Sequence, residues 1–371
     1  MRLLVSAGDP SGDIRAAELL HALRGMTGVE AAGLGGDRLA GAGMRIDFHQ
    51  RDYSVMGFAE VLSSAGRLLR LRRGMRELAA EFSPDIVLLV DYPGFNLPFA
   101  VWARARGMRV AYYISPQLWA WGGGRTRKVR DGVDRMITLF RFEVDFYRSR
   151  GVRCAEWAGH PLVDSVPLPF ESHPGDVLAL LPGSRGQEVG RLLGPMLEAY
   201  RRLADSGLVR EARVAAAPDV PAGYYEPALA LPGVTLADSL RAALDGASAA
   251  AVCSGTATLE TALHGVPFVV AYRTSPVTYA LARLLVRGVD RIGMASIVTG
   301  REVAVELVQG GATGRALAGA LAPLLEDTGV RRAALGSLAS VREALGAPGA
   351  AARAARLVLE MTDGRQAAPR T

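Results

Sequence analysis

Val177-Leu-Ala-Leu-Leu-Pro-Gly-Ser-Arg-Gly-Gln-Glu188 is the stretch that decides the fold class. Its apolar run Val177–Leu181 has no polar alternation, the pattern of a strand buried on both faces of a parallel sheet. Pro182-Gly183 ends that strand, and a helix is predicted over Glu188–Ser206. Strand, tight turn and helix in that order form the first part of a βαβ unit. Ala249-Ala-Ala-Val-Cys-Ser-Gly-Thr-Ala-Thr-Leu-Glu260 repeats the design, with its helix predicted over Thr258–His264. Glu211–Ala216 and Phe268–Ala271 read as further strands of this series, and Ser275–Val286 as a further helix.

The first half of the chain carries the same alternation. Arg2–Ala7, Ile86–Val90 and Arg109–Ile114 are its clearest strands, with others at Ala31–Leu34, Met136–Leu139 and Cys154–Trp157. Val166–Gly175 is rich in proline and has no period, so the linker is placed there. A chain of 371 residues exceeds what one core usually supports. The expected organisation is therefore a domain over 1–168 and a second over 174–345. A C-terminal helix and disordered tail over 346–371 are expected to pack back toward the first domain. The fold class is α/β of GT-B type, two Rossmann-like domains facing each other across a ligand cleft.

Composition excludes several classes. Half the residues are hydrophobic, which rules out a disordered chain. Cys154 and Cys253 are the only cysteines, too few for a disulfide framework or a structural zinc site. No apolar run reaches the length of a spanning helix, and no cleavable leader precedes Arg2, so a cytoplasmic protein, soluble or peripheral, is expected. The net charge of +6 fits nucleic acid, a phosphorylated ligand or an anionic membrane equally.

Five segments carry candidate chemistry. At Gly183-Ser184-Arg185 a helix N-terminus and a planar guanidinium suit a phosphate, although a surface arginine after an ordinary turn would look the same. At Ser254-Gly255-Thr256-Ala257-Thr258, hydroxyls and backbone N–H groups can cradle a diphosphate, and Glu260 can accept ribose hydroxyls. There the bland reading is a capped helix with Glu260 in water. Asp91 follows Ile86–Val90 at the carboxyl end of a central strand, where open α/β sheets place ligands. From the residues alone it serves equally as a general base or as a cap of the next helix, whose loop also holds Asn96. Ser115-Pro-Gln-Leu-Trp-Ala-Trp121 offers Trp119 for stacking on a sugar or for core packing. The polar turn Asp9-Pro-Ser-Gly-Asp13 contributes Ser11 and Asp13 as candidates. His160 reads as a packing histidine. Finally, Val61–Leu78 interleaves leucines with arginines, which fits an interfacial membrane helix or a core-facing helix with a basic outer side.

Taken in order, these segments resemble the lipid-A-disaccharide synthase family. The matching pieces are Ser11-Gly-Asp13, Val55-Met-Gly57 with Glu60, Asp91-x-Pro-x-Phe-Asn96, Ser115-Pro-x-x-Trp-Ala-Trp121, Gly159-His-Pro-Leu-x-Asp164, Leu180-Leu-Pro-Gly-Ser-Arg185 with Glu188, and Ser254-Gly-Thr-Ala-Thr-Leu-Glu260. Ala271-Tyr-Arg273, Gly300-Arg-Glu302 and Glu306-Leu-Val-Gln309 continue the set.

The resemblance implies an inverting glycosyltransferase. It would join UDP-2,3-diacylglucosamine to 2,3-diacylglucosamine 1-phosphate (lipid X), releasing UDP and a disaccharide 1-phosphate. Asp91 would be the catalytic base. Gly183, Ser184, Arg185, Ser254, Gly255, Thr256, Ala257, Thr258 and Glu260 would hold UDP. Ser11, Asp13, Asn96 and Trp119 would line the acceptor side. No Asp-x-Asp motif occurs, so no metal and no cofactor are expected. No nucleic acid is expected either. The family is peripheral to the cytoplasmic face of the inner membrane, which makes Val61–Leu78 a docking candidate. Two positions depart from the pattern: Met294-Ala-Ser296 stands where Leu-Pro-Asn is common, and Gly94 replaces an aspartate of some members. A UDP-N-acetylglucosamine 2-epimerase, another GT-B transferase acting on a lipid-linked sugar, and a non-catalytic nucleotide-dependent adaptor are the alternatives.

Overall fold

The computed structural model describes residues 1–53, 65–120, 122–166, 169, 172–276, 278–279 and 291–363. The chain forms two compact units, Met1–Pro161 with Ala347–Thr371, and Leu162–Gly346. The first division falls at Pro161–Leu162, ahead of the proline-rich segment.

In the first unit the described strands are β1 (Arg2–Ala7), β2 (Glu30–Gly35), β3 (Arg45–His49), β4 (Ile86–Val90), β5 (Val110–Tyr113), β6 (Arg135–Thr138) and β7 (Ala155–Trp157). They make one parallel sheet in the order β3-β2-β1-β4-β5-β6-β7. The order reverses direction at β1, where β4 pairs alongside it with Ala7 opposite Val90. Such a reversal opens a crevice at the carboxyl ends of the two strands. The central strands are buried along their length, which is why they read as unbroken apolar runs. The edge strand β3, Arg45-Ile-Asp-Phe-His49, is half exposed and escapes that reading.

The helix Ala65–Phe82 buries Leu71, Met75, Leu78, Ala79 and Phe82 in this unit's core. Arg76 stacks on Trp102 at 5.2 Å, and Arg106 lies 4.4 Å from the same ring. Within the segment Val61–Leu78, Leu71 and Met75 are thus core residues and not part of a membrane face. Leu69 is 62% exposed, beside exposed Arg67 and Arg70. Val61 and Leu62 lie outside the described residues, as do Val55–Gly57, Glu60 and Trp121. The helix Ala350–Asp363 packs on the helix Pro10–Arg24. Arg135 anchors it by donating to the Leu357 carbonyl at 2.6 Å and pairing with Glu360 at 2.7 Å.

The second unit holds β8 (Val177–Leu181), β9 (Glu211–Ala215), β10 (Val234–Ala237), β11 (Ala249–Cys253), β12 (Phe268–Tyr272) and β13 (Glu306–Val308). Its parallel sheet runs β10-β9-β8-β11-β12-β13. Again the order reverses at the first strand, with Leu181 opposite Val252. The helices Gly186–Asp205 and Gly314–Leu325 pack together, and their Val189, Leu192, Met196, Leu317 and Leu321 fill one core with the strands. The short edge strands β10 and β13 lack continuous apolar runs, so sequence reading missed both. The segment Ser275–Val286 lies largely outside the described residues.

Arg331 is buried among carbonyls of this unit. Its guanidinium donates to Ser248 O at 2.6 Å, to Leu324 O, and to Ser172 O and Oγ at 2.8 and 2.9 Å. It thereby ties the segment before β8 to the turn before β11 and to the helix Gly314–Leu325. Arg331→Met would leave three carbonyls without their donor. The expected loss is on the order of 3 kcal/mol, read as a lower midpoint in urea with an unchanged slope.

Candidate active site

In the first unit, chain geometry concentrates on the turn after β4. Asp91 and Tyr92 both adopt left-handed backbone, with φ of 41° and 47°. Two successive non-glycine residues in that region cost of order 1–3 kcal/mol each and persist only where the surroundings impose them. Here the Asp91 carbonyl accepts from Tyr112 Oη at 2.5 Å and from Asn96 Nδ2 at 2.8 Å. Asn96 is fully buried, and its amide also donates to the carbonyls of Ser6 and Val90. Its Oδ1 accepts from Ser6 Oγ at 2.7 Å. The Tyr92 ring lies over Gly8, where a β-carbon would sit 2.3 Å from it. The Tyr92 hydroxyl donates to Tyr53 O at 3.1 Å.

This packing leaves Asp91 largely desolvated at the sheet edge. Burial, together with the negative charge of Asp9, pushes its carboxyl up to about 7, against a smaller opposing pull from the Tyr92 N–H. Asp9 follows β1 as Asp91 follows β4, so strand adjacency brings the two acids together. Asp9 itself caps the helix Pro10–Arg24, accepting from Gly12 N at 2.7 Å. Sequence reading noted its turn but chose Ser11 and Asp13 from it. The available signal was that both aspartates stand within two residues of the end of a strand.

The other acceptor-side candidates separate. Asp13 is buried and spends its oxygens on the N–H groups of Gly36, Arg38 and Leu39, at 2.7, 3.0 and 3.3 Å. That places it inside the fold as a cap for the helix Asp37–Gly41. Asn96 is likewise a structural group. Ser11 is exposed in the first turn of its helix. Trp119 is partly buried, edge-on to Phe142 at 5.2 Å. Beside it, burial pushes the Glu143 carboxyl up to about 8, opposed by the Phe140 N–H and by Ser115 and Trp119. His160 packs against Phe140 with the rings tilted by 30° and their centroids 5.2 Å apart, and burial with the Arg15 charge pushes its imidazole down to about 3.

In the second unit the two expected junctions lie side by side after β8 and β11. At the first, an internal anion already occupies the helix N-terminus. Glu188 accepts from Ser184 N at 3.0 Å and Arg185 N at 3.3 Å, and pairs with the Arg185 guanidinium at 3.1 Å. The arginine itself is 76% exposed. A β-carbon on Gly183 would strike Glu188. Burial pushes the neighbouring Cys253 thiol up to about 12, with Glu188 adding to the effect and Arg185 opposing it.

At the second junction several hydroxyls expected to face a diphosphate turn inward. Ser254 Oγ donates to Ile292 O at 2.7 Å. Thr258 Oγ1 donates to Gly255 O at 2.8 Å and accepts from Ala295 N at 3.2 Å. Thr256 is exposed in the first helical turn, Ala257 and Glu260 are partly buried, and the Gly255 cap offers no side-chain oxygen. Backbone N–H groups and Thr256, rather than Ser254 or Thr258, are therefore what this junction presents. Ser296 is buried and accepts from Val303 N at 3.3 Å, so its hydroxyl serves the fold. Among the described residues no group of three or more His, Cys, Asp or Glu is arranged to hold a metal ion.

A profile of the lipid-A-disaccharide synthetase family matches residues 3–348. The lipid-A-disaccharide synthase of Myxococcus xanthus is 42% identical over 374 residues, covering 97% of each chain. That of Syntrophus aciditrophicus is 39% identical with the same coverage. Among solved structures, a UDP-N-acetylglucosamine 2-epimerase from Listeria monocytogenes, so described provisionally, superposes with TM-score 0.63 at 14% identity, covering 99% of this chain and 98% of that one. MurG of Acinetobacter baumannii gives 0.61 at 14% identity, covering 97% and 99%. At such identities these structures show the shared two-domain α/β fold.

The raised carboxyl has a consequence for stability. Asp91 holds its proton more tightly folded than unfolded, where the ordinary value is near 3.8. Stability therefore falls as pH rises from about 4 through about 7. Asp91→Asn removes that loss, so its gain in melting temperature is expected to be larger at about pH 8 than at about pH 5. Equal gains at both would show that the carboxyl is not desolvated. Asp9→Asn should lower the Asp91 titration midpoint, followed by carbon-13 NMR of the carboxyl.

Proposed function

The chain belongs to the lipid-A-disaccharide synthetase family, and from that premise we propose that it transfers a 2,3-diacylglucosaminyl group from UDP to the 6-hydroxyl of 2,3-diacylglucosamine 1-phosphate, with inversion. In this reading the hydroxyl oxygen attacks the anomeric carbon while Asp91 takes its proton. The bond from that carbon to the UDP oxygen breaks, and its electron pair leaves with UDP. The products are a β-1′,6-linked disaccharide 1-phosphate and UDP.

The observation that carries the reading is Asp91 itself. A general base works best with its pKa near the working pH, and burial beside Asp9 brings this carboxyl to about 7. The rigid turn built on Asn96 and Tyr112 supports a fixed direction of proton transfer. In the second unit, the negative charge that grows on UDP would be met by Arg185 and the N–H groups after Gly255. Because Glu188 pairs with Arg185, phosphate binding requires the arginine to exchange or share that partner. The reading needs no divalent metal.

Incubation of the purified protein with both acylated substrates and EDTA is expected to give the disaccharide 1-phosphate and UDP by mass spectrometry. Asp91→Asn should lower turnover by roughly 10²–10⁴-fold while UDP affinity stays close to wild type. The wild-type rate should rise with pH through about 7 as Asp91 deprotonates. Full activity in Asp91→Asn would remove the residue from the mechanism. UDP binding with no disaccharide would sink the substrate assignment.

The same reading places the protein peripherally on the cytoplasmic face of the inner membrane. No described helix is long and apolar enough to cross a membrane. Exposed Leu69 beside Arg67 and Arg70 supports surface docking, since an apolar anchor with cations suits an anionic interface. Sedimentation with phosphatidylglycerol-containing vesicles is expected, weakened in Leu69→Asp. Equal sedimentation of both would move the docking surface elsewhere.

A further inference from the structure

A cavity of about 620 Å³ opens at the carboxyl edge of the second sheet, and its lining includes neither Arg185 nor any residue of the Ser254–Thr258 turn. Its size is within the range of small-ligand sites. Arg191 and Pro195 line it from the helix Gly186–Asp205, Arg273 and Thr274 from the end of β12, Gln309 from the end of β13, and Tyr279 from the segment beyond Thr274.

Its charge sets it apart. The Arg185 guanidinium has a carboxylate partner in Glu188. Among the described residues, neither Arg191 nor Arg273 has one. Arg191 donates to the amide oxygen of Gln187 at 3.5 Å. Arg273 donates its Nε to the Gln309 carbonyl at 3.2 Å, while Gln309 Oε1 accepts from Thr274 N at 2.9 Å. Gln309 adopts left-handed backbone, φ 52°, to make both bonds. A non-glycine residue held there is over-determined by its surroundings. Here that fixes the orientation of Arg273. Neither guanidinium has an acid partner among the described residues, one is oriented by its neighbours, and each offers a planar fork suited to phosphoryl oxygens. Tyr279 and Pro195 add the apolar surface that a sugar ring packs against.

We propose that this cavity is a phosphoryl-binding site, whose cations are Arg191 and Arg273 rather than Arg185, and whose ligand is a phosphate carried on a sugar. The identity of the ligand rests on the transfer reaction proposed above, which has two sources of that chemistry: the diphosphate of the nucleotide sugar and the 1-phosphate of the acceptor. Electrostatics favours the cavity over the junction for one of these groups, because at the junction a phosphate must compete with Glu188.

The test is calorimetric titration of the full-length protein with glucosamine 1-phosphate and, separately, with UDP. Wild type is compared with Arg191→Gln, Arg273→Gln and, as a reference for the junction, Arg185→Gln. Each cavity variant is expected to weaken one probe about tenfold, the size of one lost charge-assisted hydrogen bond. Weakened glucosamine 1-phosphate with unchanged UDP assigns the acceptor's phosphate, and the converse assigns the nucleotide's diphosphate. Either result supports the site. Unchanged affinity for both probes in both variants overturns it, and so does a wild type that binds neither. If Arg273→Gln loses its thermal transition, Arg273→Lys is measured instead, since it keeps the charge and loses the fork. Failure of disaccharide formation together with these binding losses would sink the transfer reaction and leave the cavity's assignment in place.

Discussion

Asn96 has no exposed surface, and its amide is spent entirely on the ends of β1 and β4. Open parallel sheets part at the point where strand order reverses, and the carboxyl ends there need something to hold them. A single side chain with two donors and a strong acceptor does so by bonding Ser6, Val90 and Asp91 at once. With those groups satisfied, the chain can take two left-handed residues in succession. The strain of that turn is offset by a network that would otherwise be a set of buried, unpaired carbonyls.

The chemistry of Asp91 follows from this constraint. The turn carries the carboxyl into a desolvated position, and the same strand pairing sets Asp9 close enough to oppose its ionisation. Desolvation is the larger cause. A carboxylate in water would be fully ionised near neutrality but a weak base. This one is held near the point where both forms are populated. Tyr112, which supports the turn through the Asp91 carbonyl, is itself buried and held protonated, so it remains a donor.

The second unit solves a different electrostatic problem. Its helix N-termini are attractive to anions, and without a ligand they would be left with orphan N–H groups. Glu188 supplies that anion from within the helix at the first junction, and Arg185 neutralises it. At the second, Ser254 and Thr258 are committed to bonds with Ile292 O and Ala295 N, on either side of the start of the helix Met294–Thr299. Glu306 adds to that support by accepting from Ile292 N and Gly293 N at 2.7 and 3.1 Å. Arg191 and Arg273, by contrast, have no acid partner among the described residues.

How much was legible in the sequence follows from the range of the forces involved. Central strands such as Ile86–Val90 and Val177–Leu181 are buried on both faces, so their identity is written in unbroken apolar runs. The helices after them follow from tight Pro-Gly and Ser-Gly turns. Family membership, too, is carried by ordered short motifs and needs no coordinates. The edge strands β3, β10 and β13 were not legible, because a half-exposed strand three to five residues long has no distinctive pattern. Nor was the division of labour among polar residues. Asp13 and Asp91 are the same residue type in equivalent post-strand segments, yet one caps a helix inside the fold and the other stands desolvated at the sheet edge. Thr256 and Thr258 differ in the same way. Sequence by itself determined which segments form the sheets and which turns sit at their carboxyl edges. Only tertiary structure decided which side chains are consumed in holding those turns and which remain for a ligand, because hydrogen-bond partners and desolvation come from residues distant along the chain.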